Sequence, residues 1–131
     1  PSELLLLKDL DKETYEILRP HINTLAETAQ ININTATAEV LMSLADDISK
    51  SDIEGIIKKR DDEAYKSVEM FLAEEIFAGK KVSEEGLSVS SDYFLLVAQA
   101  DIGHLQQTLN SIFERDDEGR IQVLLRSENE I

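Results

Sequence analysis

Gln30-Ile31-Asn32-Ile33-Asn34-Thr35-Ala36-Thr37-Ala38-Glu39-Val40-Leu41 is the stretch from which the rest of the chain is read. Two isoleucines alternate with asparagines, the period of a short extended segment with one buried face. Small residues then hand the chain to a helix. Thr37 is placed to cap it, Glu39 lies in the first turn where the helix dipole favours an acid, and Val40, Leu41 and Leu44 form its apolar stripe. The helix is expected to end near Asp46-Asp47.

Upstream, Asp11-Lys12-Glu13-Thr14-Tyr15-Glu16-Ile17-Leu18 reads as a short helix capped by Asp11, with Leu10 and Tyr15 spaced as a hydrophobic staple. Arg19-Pro20 closes it, because the residue before a proline is pushed out of the helical region. Downstream, Ser51-Asp52-Ile53-Glu54 has capping-box spacing, and Ile53, Ile56 and Ile57 give the next helix one buried face. Lys58-Lys59-Arg60 puts cations on its last turn. Asp61-Asp62-Glu63 then reads as a turn. A further helix opens at Ser67 and buries Val68, Phe71, Leu72 and Ile76, and Gly79 is a left-handed stop. The polar stretch from Lys80 to Gly86 marks a boundary, so residues 1–82 form a helical unit and residues 83–131 a second unit.

The second unit reads as antiparallel β-sheet. Tyr93-Phe94-Leu95-Leu96-Val97 is a dense apolar and aromatic run suited to a strand, and Ile121, Val123 and Leu125 alternate onto one face of another. Asp116-Asp117-Glu118-Gly119 lies between them and the preceding segment as a hairpin loop, with glycine where a positive φ is needed. The segment 102–115 is ambiguous. Ile102, Leu105, Leu109, Ile112 and Phe113 make a helical stripe, whereas a strand would place Leu105, Leu109 and Phe113 on one face. The fold class is therefore α+β, a bundle of short helices followed by antiparallel strands.

Composition narrows the function. A formal net charge of −14 over 131 residues repels a polyanion, so nucleic acid is a poor partner. The chain has no cysteine, hence neither disulfides nor a thiolate metal site. Its longest apolar run, Leu4-Leu5-Leu6-Leu7, is too short to cross a bilayer. Starting at Pro1, the chain is expected to be a processed or excised piece whose targeting or anchoring segment lies elsewhere. No nucleophile–base pairing, phosphate loop or metal signature points to an enzyme. His21 and His104 stand alone and read as surface or loop residues. The segment from Asp47 to Gly55 lacks the glycine and closing glutamate of a calcium loop.

Two family resemblances attach to these residues. Ile31-Asn32-Ile33-Asn34-Thr35-Ala36 resembles the lead of the helix-hairpin-helix repeat in competence-type DNA receptors, which implies a binding module for DNA or protein. Where that repeat has a glycine hairpin, however, this chain has Ala45-Asp46-Asp47-Ile48, and two carboxylates would repel a phosphate.

The other resemblance spans nearly the whole chain. It joins Glu3-Leu4-Leu5-Leu6-Leu7-Lys8, Leu18-Arg19-Pro20, the Ile31–Ala36 lead, Val40-Leu41-Met42-Ser43-Leu44, Ser67-Val68-Glu69 with Phe71-Leu72, Ser90-Ser91-Asp92-Tyr93-Phe94, and Arg115-Asp116-Asp117-Glu118-Gly119-Arg120. In this order they resemble the minor pseudopilin K family of the bacterial type II secretion system.

This resemblance implies a sterile-alpha-motif-like helical unit followed by part of a pilin-like sheet, and it settles 102–115 as strand. It further implies a non-catalytic component at the pseudopilus tip that meets the I and J minor pseudopilins, helps to start assembly and contacts secreted cargo. The chain would be the periplasmic part of a protein anchored in the inner membrane by a segment absent here. The helix that covers the pilin sheet would also be absent, so Leu95, Val97, Ile121 and Val123 should include residues that are exposed, packed on the helices or shared with another copy. Calcium is implied as a ligand, but the family's ligand positions do not carry over to this chain; read from the loops alone, Glu84, Glu85, Asp92, Asp116 and Asp117 are candidate oxygen donors where those loops converge.

Overall fold

Short helices begin wherever a side-chain oxygen can satisfy the first free main-chain N–H groups. The computed structural model describes residues 2–25 and 29–128. Asp11 caps α1 (Lys12–Leu18), accepting from the Thr14 N–H at 2.7 Å. Thr37 caps α2 (Ala38–Met42) and Ser67 caps α4 (Val68–Leu72), as their spacing predicts.

The cap of α3 (Lys50–Asp62) differs from expectation. Ser49 accepts from the Asp52 N–H at 3.2 Å, and Asp52 Oδ2 accepts from the Ser49 N–H at 3.3 Å. The reciprocal box is thus two residues earlier than Ser51–Glu54. Aspartate at the third helical position closes it as glutamate would, leaving Ser51 inside the first turn.

Residues 2–90 belong to one compact unit and 91–128 to another. In the first, Ile33, Leu41, Ile48, Ile53, Ile56, Tyr65, Phe71, Phe77 and Leu87 are buried together. Phe71 is at its centre, with the Tyr65 ring edge-on at 5.4 Å and the tilted Phe77 ring at 4.7 Å. Leu87 explains why this unit runs past the expected boundary at 82/83. Strand β1 (Ile31–Asn32) pairs in parallel with β2 (Leu87–Ser88), and Ile31 and Ile33 donate to the Gly86 and Ser88 carbonyls at 2.8 and 2.9 Å. The polar stretch is therefore a loop that returns to the helical core.

Asn34 ties three segments together. Its Oδ1 accepts from the Tyr65 N–H at 2.9 Å, while Nδ2 donates to the Tyr65 carbonyl at 2.9 Å and the Val89 carbonyl at 3.2 Å. Arg60 closes the same region from α3. Instead of pointing along the helix axis toward solvent, its side chain is 9% exposed and donates through Nη1 to the Ile33 carbonyl at 2.7 Å.

The second unit is an antiparallel sheet in the order β3 (Tyr93–Ile102), β4 (Leu105–Arg115), β5 (Ile121–Ser127). Residues 105–115 are strand, with Leu105, Leu109 and Phe113 on one face beside their partners Ile102, Ala98 and Phe94. Cross-strand pairing overrides the helical stripe, since this central strand is paired along both edges, with β3 and with β5.

A bulge changes β5. Ile112 pairs with Leu125 but Phe113 with Val123, leaving Leu124 as the extra residue. Ile121 and Val123 consequently share a face with Phe113, and Leu125 moves to the opposite one with Ile112. The expected single face of Ile121, Val123 and Leu125 is thereby split.

Asn34→Ala would leave a main-chain N–H and two carbonyls short of partners. With each bond contributing about 0.5–1.5 kcal/mol, the expected loss of stability is roughly 2 kcal/mol, measured by denaturant unfolding followed in the helical unit.

Candidate functional site

Three features of the described residues bear on function. The first is the turn between α2 and α3. Asp47 adopts a φ of 57°, a left-handed conformation that favours glycine. Lys80 Nζ donates to the Asp46 and Asp47 carbonyls at 3.0 and 3.1 Å, so the turn offers oxygens to a cation. Both aspartates are exposed beside it. A phosphate arriving here would meet two carboxylates.

A cleft of about 710 Å³ adjoins this turn, lined by Met42, Ser43, Asp46, Asp47, Gly79 and Lys80 among others. Sequence reading saw Lys80 only as part of a polar boundary. No local signal could have found its role, because its partners lie 33 and 34 residues earlier.

A second cleft of about 640 Å³ lies beside Lys59, Tyr65, Met70 and Glu74. Three of its polar side chains bond one another. Tyr65 donates its hydroxyl to Glu74 Oε1 at 3.1 Å, and Lys59 pairs with the same carboxylate. Burial pushes the Tyr65 phenol well up, and the hydrogen bond to Glu74 adds to this, so it stays a neutral donor. This cluster fastens α3 to the end of α4 by ordinary structural contacts.

The sheet is the third feature. Leu95, Val97, Ile121 and Val123 are 58%, 57%, 67% and 43% exposed, and Phe94, Leu96 and Leu125 are also exposed. Because Leu95 and Val97 lie on the face of Ile112, and Ile121 and Val123 on the face of Phe113, both faces carry exposed apolar residues.

The acidic candidates divide between the units. Glu84 and Glu85 are exposed in the first, whereas Asp92, Asp116 and Asp117 belong to the second. Asp92 lies 3.8 Å from Arg115. Asp116 is occupied by its own loop: Oδ1 accepts from the Glu118 and Arg120 N–H groups at 3.0 and 2.9 Å, and Oδ2 pairs with Arg120 Nε at 2.7 Å. Calcium takes six to eight oxygens. Among the described residues no group of three or more His, Cys, Asp or Glu side chains is disposed to hold a metal ion. His21 Nδ1 lies 3.4 Å from the Thr37 hydroxyl, and His104 is in the exposed turn between β3 and β4.

A family model described as type II secretion system protein K matches residues 31–90, from β1 to the end of the helical unit. The type II secretion system protein K of Pseudomonas aeruginosa is 32% identical over 125 residues, covering 95% of this chain. The chain belongs to the type II secretion system protein K family.

This member of the protein K family spans 37% of the length of its Pseudomonas relative. It is also similar to a chain in the crystal structure of the GspK-GspI-GspJ complex from enterotoxigenic Escherichia coli. That likeness has a TM-score of 0.77 and 28% identity, and it covers 99% of this chain and 48% of the other. The matched region takes in both units, so family membership and the α+β architecture agree over the described chain. No helix among the described residues is long and apolar enough to cross a membrane.

Two outcomes test the loops. Asp47→Gly relieves a left-handed aspartate and is expected to stabilise the helical unit by up to about 1 kcal/mol, read as a higher denaturation midpoint. The Asp116 carboxyl is held below the usual carboxylate range chiefly by the Arg120 side-chain hydrogen bond, then by main-chain N–H groups. Its folded value is depressed, so its contribution is complete above the unfolded value of about 4 and fades as pH falls through the folded one. NMR shifts of the Glu118 and Arg120 amides should report that acid step in the native chain and lose it in Asp116→Asn.

Proposed function

We propose that this chain is part of a non-catalytic structural subunit at the tip of the type II secretion pseudopilus, where it assembles with the I and J minor pseudopilins. The observation that carries this reading is its likeness, at 28% identity and a TM-score of 0.77, to a chain from the GspK-GspI-GspJ complex. A sheet with exposed apolar residues on both faces adds support, since such surface in so acidic a protein suits burial against other protein. In this proposal the subunit helps to start pseudopilus assembly and contacts secreted cargo. Its compartment is the periplasm, with anchorage in the inner membrane through a segment outside this chain.

The rival reading, a helix-hairpin-helix module that binds DNA, is disfavoured by the net charge of −14 and by the carboxylates of Asp46 and Asp47 at the turn. One experiment separates the two. The chain is mixed with the purified I and J pseudopilins from the same organism and analysed by size-exclusion chromatography with light scattering, alongside a duplex-DNA gel shift at moderate salt. Co-elution with I and J and no DNA shift is the expected result. A salt-sensitive DNA shift without co-elution would overturn the proposal.

A further inference from the structure

The segment after the last short helical turn is held to the helical unit at two separate places. Past Phe77 the chain reverses at Gly79, whose φ of 75° is open to glycine at little cost, and the Lys80 N–H donates to the Phe77 carbonyl at 3.0 Å. This reversal carries the Lys80 ammonium to the α2–α3 turn, where it bonds the Asp46 and Asp47 carbonyls. Farther on, β2 pairs with β1 and the Val89 carbonyl accepts from Asn34. Between these attachments Val82 packs against the core, while Lys81, Ser83, Glu84 and Glu85 are exposed.

The turn that receives Lys80 has a conformation that aspartate adopts reluctantly. Asp47 is the non-glycine residue with a positive φ among those described. Its carbonyl and that of Asp46 converge on one ammonium, and charge-assisted bonds of this kind are the stronger class. The same residues line the cleft of about 710 Å³ beside the turn.

We propose that Lys80 is a latch: its ammonium straps the segment 78–86 to the α2–α3 turn, and loss of that charge opens the cleft locally while the core stays folded. The inference concerns a conformational device within the helical unit and does not depend on the pseudopilus reading. Opening of this kind is sub-global. It involves the segment 78–86, whose Lys81, Ser83, Glu84 and Glu85 are exposed, whereas Phe71, Leu41 and Ile53 remain packed elsewhere.

Amide hydrogen exchange on the full chain tests the latch. In Lys80→Met, exchange at residues 46–47 and 80–86 is expected to rise by about tenfold, with Leu41, Phe71, Leu87 and the β3–β5 amides unchanged. Lys80→Arg, which keeps the charge and donors, should retain most of the protection. An unchanged profile in Lys80→Met, or a rise spread evenly through the core, would overturn the proposal. A measurement on the unsubstituted protein gives an independent check. Raising KCl from about 50 mM to about 1 M screens a partly exposed ammonium and should speed exchange at the same amides alone. A salt-independent profile there counts against the latch whatever the variants do.

Discussion

The helical unit depends on one side-chain amide. Asn34 reads both main-chain polar groups of Tyr65 and the carbonyl of Val89, residues 31 and 55 positions away. Tyr65 is buried, so its N–H and carbonyl must be paired within the protein or pay the desolvation cost. By supplying those partners Asn34 fixes the loop between α3 and α4. That in turn sets the Tyr65 ring against Phe71 and brings Val89, with Leu87 just before it, onto the core. An aliphatic residue at this position could fill space, but it could not satisfy three polar groups at once.

Around this anchor the unit carries exposed acid at the turn between α2 and α3. The α2–α3 turn keeps a left-handed residue, but aspartate occupies it and a lysine bonds its carbonyls. That contact fastens one part of the helical unit to another. The family match spans residues 31–90, the region Asn34 organises. In the second unit Asp116 similarly spends its carboxylate on its own hairpin loop.

Much of the fold was legible from local chemistry. Caps at Asp11, Thr37 and Ser67, the buried faces at Ile53 and Phe71, and the glycine of the β4–β5 loop all follow from residue types at short spacings. Local reasoning failed where two local solutions compete. Ser49 and Ser51 both precede an acid at box spacing, and only the true helix start distinguishes them. Alternation in β5 predicted one face, but the register against β4 inserts Leu124 as a bulge and moves Leu125 to the other side. The candidate site was less legible still, since the acids nominated for calcium are distributed between two units, and Lys80 acts on carbonyls far away in sequence.

By itself, the sequence determined that residues 30–41 enter a capped helix from an extended segment, that the chain is α+β, and that its charge is unsuited to a polyanion. These are properties of near neighbours and of composition, which no long-range contact needs to specify. Tertiary structure alone decided that the extended segment pairs with Leu87-Ser88 and that Asn34 is its anchor, while the pairing of 105–115 bore out the strand that the family resemblance implied against its helical stripe. The physical reason behind the first two is that main-chain polar groups must find partners, and here those partners come from distant parts of the chain.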